Sequence, residues 1–212
     1  FALFVLFPFA IMLISSFKHK EETIGQFTWW PEMGFTLDGY KNAFEKVESS
    51  TSIVEGFFNT LWIIIPPTII GLLVSTLAAY AFAKMRFRGK KVMFGLLIAT
   101  MMVPGIATLV PSYIIYDYLG ITVDAPFFPL MVPGMFGAAA CVFFMRQAIF
   151  AIPDSVIEAS RIDGIGPFGC FVNIVLPLVK PALLSQGVLG FVAGYNDYFG
   201  PMLYLTGYKF TT

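Results

Sequence analysis

Few residues in this chain of 212 have the types and spacing that chemistry demands. The single histidine, His19, lies between Lys18 and Lys20, and the two cysteines, Cys141 and Cys170, are far apart in sequence and in different surroundings. Such a set cannot supply the three or four ligands of a zinc or haem site, so no metal is expected, and the cysteines read as small buried side chains rather than a pair. A phosphate-binding G-x-x-x-x-G-K-[ST] loop is missing, because Lys84 stands where the first glycine before Gly89, Lys90 and Lys91 would have to be. This chain is therefore expected to bind no ATP and to need no cofactor of its own. With no G-x-S-x-G and no H-E-x-x-H either, an enzyme reading has nothing to rest on. Two features remain: a short polar stretch containing Glu158, and Asp197, an acid alone in an apolar run.

The elements that must position these residues are apolar. Hydrophobic residues make up 58% of the chain and charged ones 12%, about half the share of a soluble domain. The net charge is zero, and mean hydropathy is +0.80. Disorder, a disulfide-stapled secreted module and a nucleic-acid binder are excluded by this balance, which points to a polytopic membrane protein in a lipid bilayer. Five charge-free runs are expected to be spans: Phe1 to Phe17, those lying between Glu55 and Lys84, between Lys91 and Asp117 and between Asp124 and Arg146, and Pro181 to Tyr208, the last interrupted only by Asp197. Prolines and glycines within them, such as Pro66, Pro67, Pro104 and Pro133, predict kinks. The expected fold is an all-α integral membrane bundle, with residues 1–212 forming one transmembrane domain that continues beyond both ends.

Sidedness follows from the cations. The connection Lys84, Arg86, Arg88, Lys90, Lys91 carries five bases and no acid and is assigned to the cytoplasm. Residues 18–55 hold four lysines, including Lys46, against seven acids, including Glu48, and are assigned to the outside. Alternation then places residues 146–180 in the cytoplasm. Trp29 and Trp30 fit an outer-interface anchor or the packing of an extracytoplasmic loop equally well.

Residues 146–180 include the polar stretch. Pro153 suits the first turn of a helix and Gly164 its end, predicting about three turns between them. Glu158 and Arg161 are spaced i,i+3 for a mutual ion pair, and Ala159 with Ser160 offers a patch of little bulk to which another backbone can come close. A loop helix packed on its own bundle is the alternative. Beyond it, Phe168 to Val175 is apolar and leads through Leu176, Pro177 and Pro181 into the fifth run.

The stretch resembles the EAA loop of ABC importer permeases, in which E-A-A is followed after three residues by G and after nine more by I-x-L-P. Glu158, Ala159, Gly164, Ile174, Leu176 and Pro177 match, and Ser160 alone departs. Other positions resemble the carbohydrate-uptake branch of that family, typified by the smaller permease of maltose-type importers. These are Ser15 to Lys18, Ala79 to Ala83 before the basic turn, Pro104, Pro111 and Tyr113, Arg146 with Gln147, Asp163 with Gly164, and Asn196 with Asp197 and Pro201. Tyr195 stands where the family usually has Trp, so cargo specificity does not transfer. The resemblance implies the type I importer permease fold, with a sixth helix beyond the five. It also implies a second permease forming a heterodimer, two ATPase subunits and an extracytoplasmic solute-binding protein that delivers a sugar. Glu158, Ala159, Ser160, Asp163 and Gly164 would then dock one ATPase, while Ile174, Leu176 and Pro177 would be structural.

The solute route is less determined. Asp197 and Asn196 fit either the pathway or a hydrogen-bonded helix end at the outer interface, and Asn59, Thr60 and Tyr80 are polar groups able to line it. One acid and no base within the runs favours a neutral cargo. The rival readings are the same architecture with a non-sugar solute, and an uncoupled channel or scaffold.

Overall fold

The computed structural model describes residues 2–24, 28–45 and 52–205; Phe1, Lys46, Glu48 and Tyr208, named above, lie outside them. Every regular element among the described residues is a helix. The chain resolves into two compact units that divide between Asn59 and Thr60.

The first unit holds α1 (Ala2–Ser15), α2 (Lys20–Ile24), α3 (Asp38–Phe44) and the opening turns of α4 (Ile53–Lys84). With 14 residues, α1 is about 21 Å long, short of the roughly 30 Å of hydrocarbon. The segment after it is organised around two opposite charges. Lys18 is buried and donates to the hydroxyl of Thr28 at 2.8 Å and to its carbonyl. The Glu22 carboxylate, 4.0 Å from Lys18, accepts from the Thr28 hydroxyl and the Glu32 N–H at 2.9 Å each. Taking charge out of water is tolerated only with partners of this kind. Trp29 packs against Phe7 and Trp30 against Phe35, with ring centroids 5.8 and 5.5 Å apart.

These contacts set a pH limit. The Glu32 N–H foremost, then the Thr28 hydroxyl, holds the Glu22 carboxyl below its ordinary range against the opposing effect of burial. Because the folded value is depressed, the stabilisation is complete above the unfolded carboxylate value of about 4.3 and disappears as pH falls through the lower folded one. Amide exchange at Glu32 and at Met33, whose N–H also donates to the Glu22 carboxylate at 3.5 Å, is expected to stay slow from pH 7 to 5 and to lose protection only in stronger acid. Glu22→Gln should show the unprotected pattern already at pH 7; unchanged protection there would refute the role of the charge.

From Thr60 onward the second unit runs through the rest of α4, α5 (Lys90–Thr100), α6 (Gly105–Tyr118), α7 (Ile121–Asp124), α8 (Phe128–Met135) and α9 (Ala139–Phe150). It continues with α10 (Asp154–Ile162), α11 (Pro167–Cys170), a π-helical turn (Phe171–Val175), α12 (Leu176–Leu178), α13 (Lys180–Tyr195) and α14 (Phe199–Tyr204). The charge-free runs do not become five straight crossings. Among the described residues, Ile53–Lys84 and Phe128–Phe150 are long and apolar enough to cross a membrane. Two more crossings arise only if each bent pair counts as one: Lys90–Thr100 with Gly105–Tyr118, bent by 92°, and Pro167–Leu178 with Lys180–Tyr195, bent by 79°. The third run breaks because Pro104, at φ −65° and ψ 129°, lacks an N–H and forces the residue before it out of the helical region. The fifth run breaks at 196–198, so α13 ends after 16 residues.

Helix packing is close where glycines allow it. A methyl group added at Gly187, Gly190 or Gly194 of α13 would stand 3.3, 3.6 or 3.0 Å from Leu72, Thr68 or Ile64 of α4. This antiparallel register depends on small residues, as expected where lipid supplies no hydrophobic drive between helices. The core lies at the C-terminal end of α4. There Ala79, Tyr80 and Phe82 meet Val142, Met145 and Ile149 of α9, Ile157 of α10, and Cys170, Phe171 and Val175.

Candidate functional site

The helix that carries Glu158 has its start, its end and its facing fixed by the sequence around it. Pro153 is extended (φ −58°, ψ 137°) immediately before Asp154, the first helical residue. At the other end Gly164 takes φ +77°, a left-handed conformation that costs a side-chain-bearing residue dearly. The Gly164 N–H then donates to the Arg161 carbonyl at 3.1 Å and the Ile165 N–H to the Ser160 carbonyl at 2.9 Å. That pair of bonds satisfies the last carbonyls and stops the helix.

Ile157 and Ser160, i and i+3, face the core and are 4% and 1% exposed. The Ser160 hydroxyl donates to the Ile157 carbonyl at 2.7 Å, so no polar group is left unpaired inside. Ser160 therefore does not join Ala159 in an outward patch, a correction to the expectation above: a three-residue step returns it to the core side. Outward stand Glu158, Ala159, Arg161 and Ile162, together with Asp163 and Gly164. No ion pair joins Glu158 to Arg161 among the described residues, and both residues are exposed. Ile162 is 86% exposed one turn beyond Glu158 and Ala159. Sequence reading overlooked it, although an isoleucine four residues after Glu158 on an otherwise polar face was a signal.

The chain leaves α10 through α11, the π-helical turn and α12. Ile174 and Leu176 are half-buried against the core, while Pro177 is exposed. Pro177 has no N–H to offer the Asn173 carbonyl and its ring crowds it, and the helix accommodates this by widening into a π turn just before it. Ile174, Leu176 and Pro177 thus lie on one continuous connection from α10 to α13.

Lys84, the last residue of α4, reaches the opposite end of α10. Its ammonium donates to the Ile152 carbonyl at 2.5 Å, the Phe150 carbonyl at 3.5 Å and the Asp154 carboxylate at 2.6 Å. That hydrogen bond and the lysine's charge hold the Asp154 carboxyl below its ordinary range. Nearby, Arg146 of α9 lies 4.3 Å over the Phe94 ring and donates to the Phe82 carbonyl at 3.3 Å. Lys90 donates to the Met85 carbonyl at 2.8 Å. Of the basic turn, Lys84 and Lys90 thus tie helix ends together, whereas Arg86, Arg88 and Lys91 are exposed.

The residues expected along a solute route do not gather into one site. Tyr80 is 3% exposed, its ring 5.6 Å from that of Phe171. It is a core residue, a correction to the lining role expected of it: the half of α4 around it is enclosed by α9 and the α11 connection. Thr60 is twenty residues earlier in the same helix, about 30 Å away along its axis. Asn59 and Thr60 are half-exposed. The register of α13 on α4 carries Asn196 and Asp197 to the level of Thr60, where both are exposed in the break before α14. Asp197 accepts the Gly200 N–H at 3.2 Å, and Asn196 donates to the Val192 carbonyl at 2.8 Å. Both bond the backbone at this helix break. Near α14, Tyr204 packs against Tyr113 and Tyr116, with centroids 5.7 and 6.1 Å apart. Both cysteines are free thiols.

Known proteins share this arrangement. The family described as binding-protein-dependent transport system inner membrane component matches residues 71–212. A probable ABC transporter permease of Pyrococcus horikoshii is 34% identical over 94% of this chain and 71% of its own length. An alpha-glucoside transport system permease of Rhizobium meliloti is 30% identical over 91% of this chain and 51% of its own. The crystal structure of a bacterial ABC transporter involved in the import of the acidic polysaccharide alginate superposes with a TM-score of 0.81. It covers 96% of this chain and 69% of its own at 23% identity, and so shows a shared fold. With the family matched over two thirds of its length, including α10 and its connection to α13, the chain belongs to the inner-membrane permease components of binding-protein-dependent transport systems.

Proposed function

We propose that the chain is the membrane-spanning subunit of an ATP-driven importer of sugars or related neutral solutes, and that α10 is its docking element for an ATPase. The observation that carries this is the two-sided build of α10: Ile157 and Ser160 fix one face in the core, leaving Glu158, Ala159 and Ile162 outward and, among the described residues, without side-chain partners that docking would have to displace. Residues 146–180 then face the cytoplasm and residues 18–55 the outside, in keeping with the excess of bases in the 84–91 turn. Two ATPase subunits bind and hydrolyse the nucleotide, a second permease completes a heterodimer, and an extracytoplasmic binding protein delivers the solute. The nucleotide site belongs to those ATPase subunits, and this chain needs no cofactor of its own.

In this reading Glu158 pairs with a cation of the ATPase cleft, while Ala159 lets the helix seat closely and Ile162 fills an apolar recess. Closure of the ATPase dimer shifts α10 as a rigid body, and its two attachments, Lys84 at the start and the α11 connection at the end, pass the shift to the spans. A sugar cargo is supported by the alpha-glucoside relative and by the presence of one acid and no base in the charge-free runs.

Uptake of labelled sugars into vesicles holding the full-length permease, its partner permease and the ATPases tests the reading. Uptake is expected only with internal ATP and the binding protein. Accumulation that ignores ATP would identify a facilitator and overturn it.

A further inference from the structure

The side chain of Lys84 is 5% exposed although it belongs to a turn full of exposed bases. It sits at the meeting point of three elements. As the last residue of α4, it bonds the carbonyl of Phe150 at the end of α9, the carbonyl of Ile152 in the loop that follows, and the carboxylate of the first residue of α10. A lysine has three donors, and all three are used here on different acceptors. Asp154, 79% exposed, gives α10 an acid in its first turn, where the helix dipole favours it, so this contact serves the helix start and the link to α4 together. By contrast, among the described residues the outward face of α10 has no such tie to the rest of the chain.

We infer that Lys84 is a positioning residue that fastens the start of α10 to the end of α4, so that a displacement of α10 reaches this long apolar helix directly, without passing through the α11 connection. This rests on the docking role of α10 proposed above. Without the link, an ATPase can still seat on α10 and hydrolyse ATP, but its movement is spent in the loop between Phe150 and Asp154.

The readout is solute taken up per ATP hydrolysed, in vesicles holding the complete transporter and its binding protein. Lys84→Met is expected to retain the ATPases and their hydrolysis while that ratio falls about fivefold or more, within the usual range for coupling between sites. Lys84→Arg, which keeps charged donors at that position, should restore most of it. Asp154→Asn, which leaves both carbonyl bonds in place, should give an intermediate ratio. A purely structural role would instead lower hydrolysis and uptake in step, and that result, or an unchanged ratio, overturns the inference. If Lys84→Met does not assemble, Asp154→Asn decides by the same criterion. Failure of the docking reading is seen separately, as ATPases retained by Glu158→Arg whatever the Lys84 variants do.

Discussion

Glu158→Arg is expected to strip the ATPase subunits from the purified transporter and to abolish ATP-dependent uptake, while the permease itself stays folded. Folding is spared because Glu158 is exposed and no ion pair holds it among the described residues, so a longer cation there disturbs nothing within the chain. Docking is not spared. Removing one partner of a buried, hydrogen-bonded charge pair costs about 2 to 5 kcal/mol, and reversal adds repulsion, so the affinity for the ATPase should fall by on the order of 30-fold or more. Co-purification at a fixed detergent and salt concentration, with thermal unfolding of the isolated permease as control, measures both halves. Glu158→Gln should fall between wild type and Glu158→Arg. ATPases that stay bound after the reversal would show that the cleft contacts another part of this chain.

The second large effect is steric. A methyl group on Gly71 of α4 would stand 2.2 Å from the carbonyl oxygen of Gly134 in α8, a separation that no rotamer change relieves because both partners are backbone. Over-packing of a core costs about 1 to 3 kcal/mol when side chains can give way, and Gly71→Ala should exceed the upper figure, since two helices must move apart. Their separation would also break the bond at 3.1 Å that the Ala138 N–H donates to the Ser75 hydroxyl one turn along. Gly95→Ala in α5 is the matched control: nothing stands within 4 Å of the added methyl, and alanine is favoured over glycine in a helix by about 1 kcal/mol. Thermal unfolding of the two variants in one detergent should therefore move in opposite directions. Equal midpoints would mean that α4 and α8 do not make this approach.

The amino-acid sequence by itself determined the class of the molecule and the ends of α10. Low charge, long apolar runs and the basic 84–91 turn carry the first, because the cost of placing charge in hydrocarbon is local and additive along the chain. The Pro153 and Gly164 signals carry the second, since a helix starts and stops on backbone conformations that single residues impose. Tertiary structure alone decided three other matters. Ser160 turns into the core and Ile162 outward, because the facing of a short helix depends on what it packs against. Tyr80 is enclosed rather than lining a route, because α9 and the α11 connection close over that part of α4. Lys84 and Asp154 meet across 70 residues of sequence, a pairing that the composition of the basic turn could not distinguish from its exposed neighbours Arg86 and Arg88. Charge and propensity act within a turn or two of chain, whereas contact between distant residues exists only once the helices have been laid side by side.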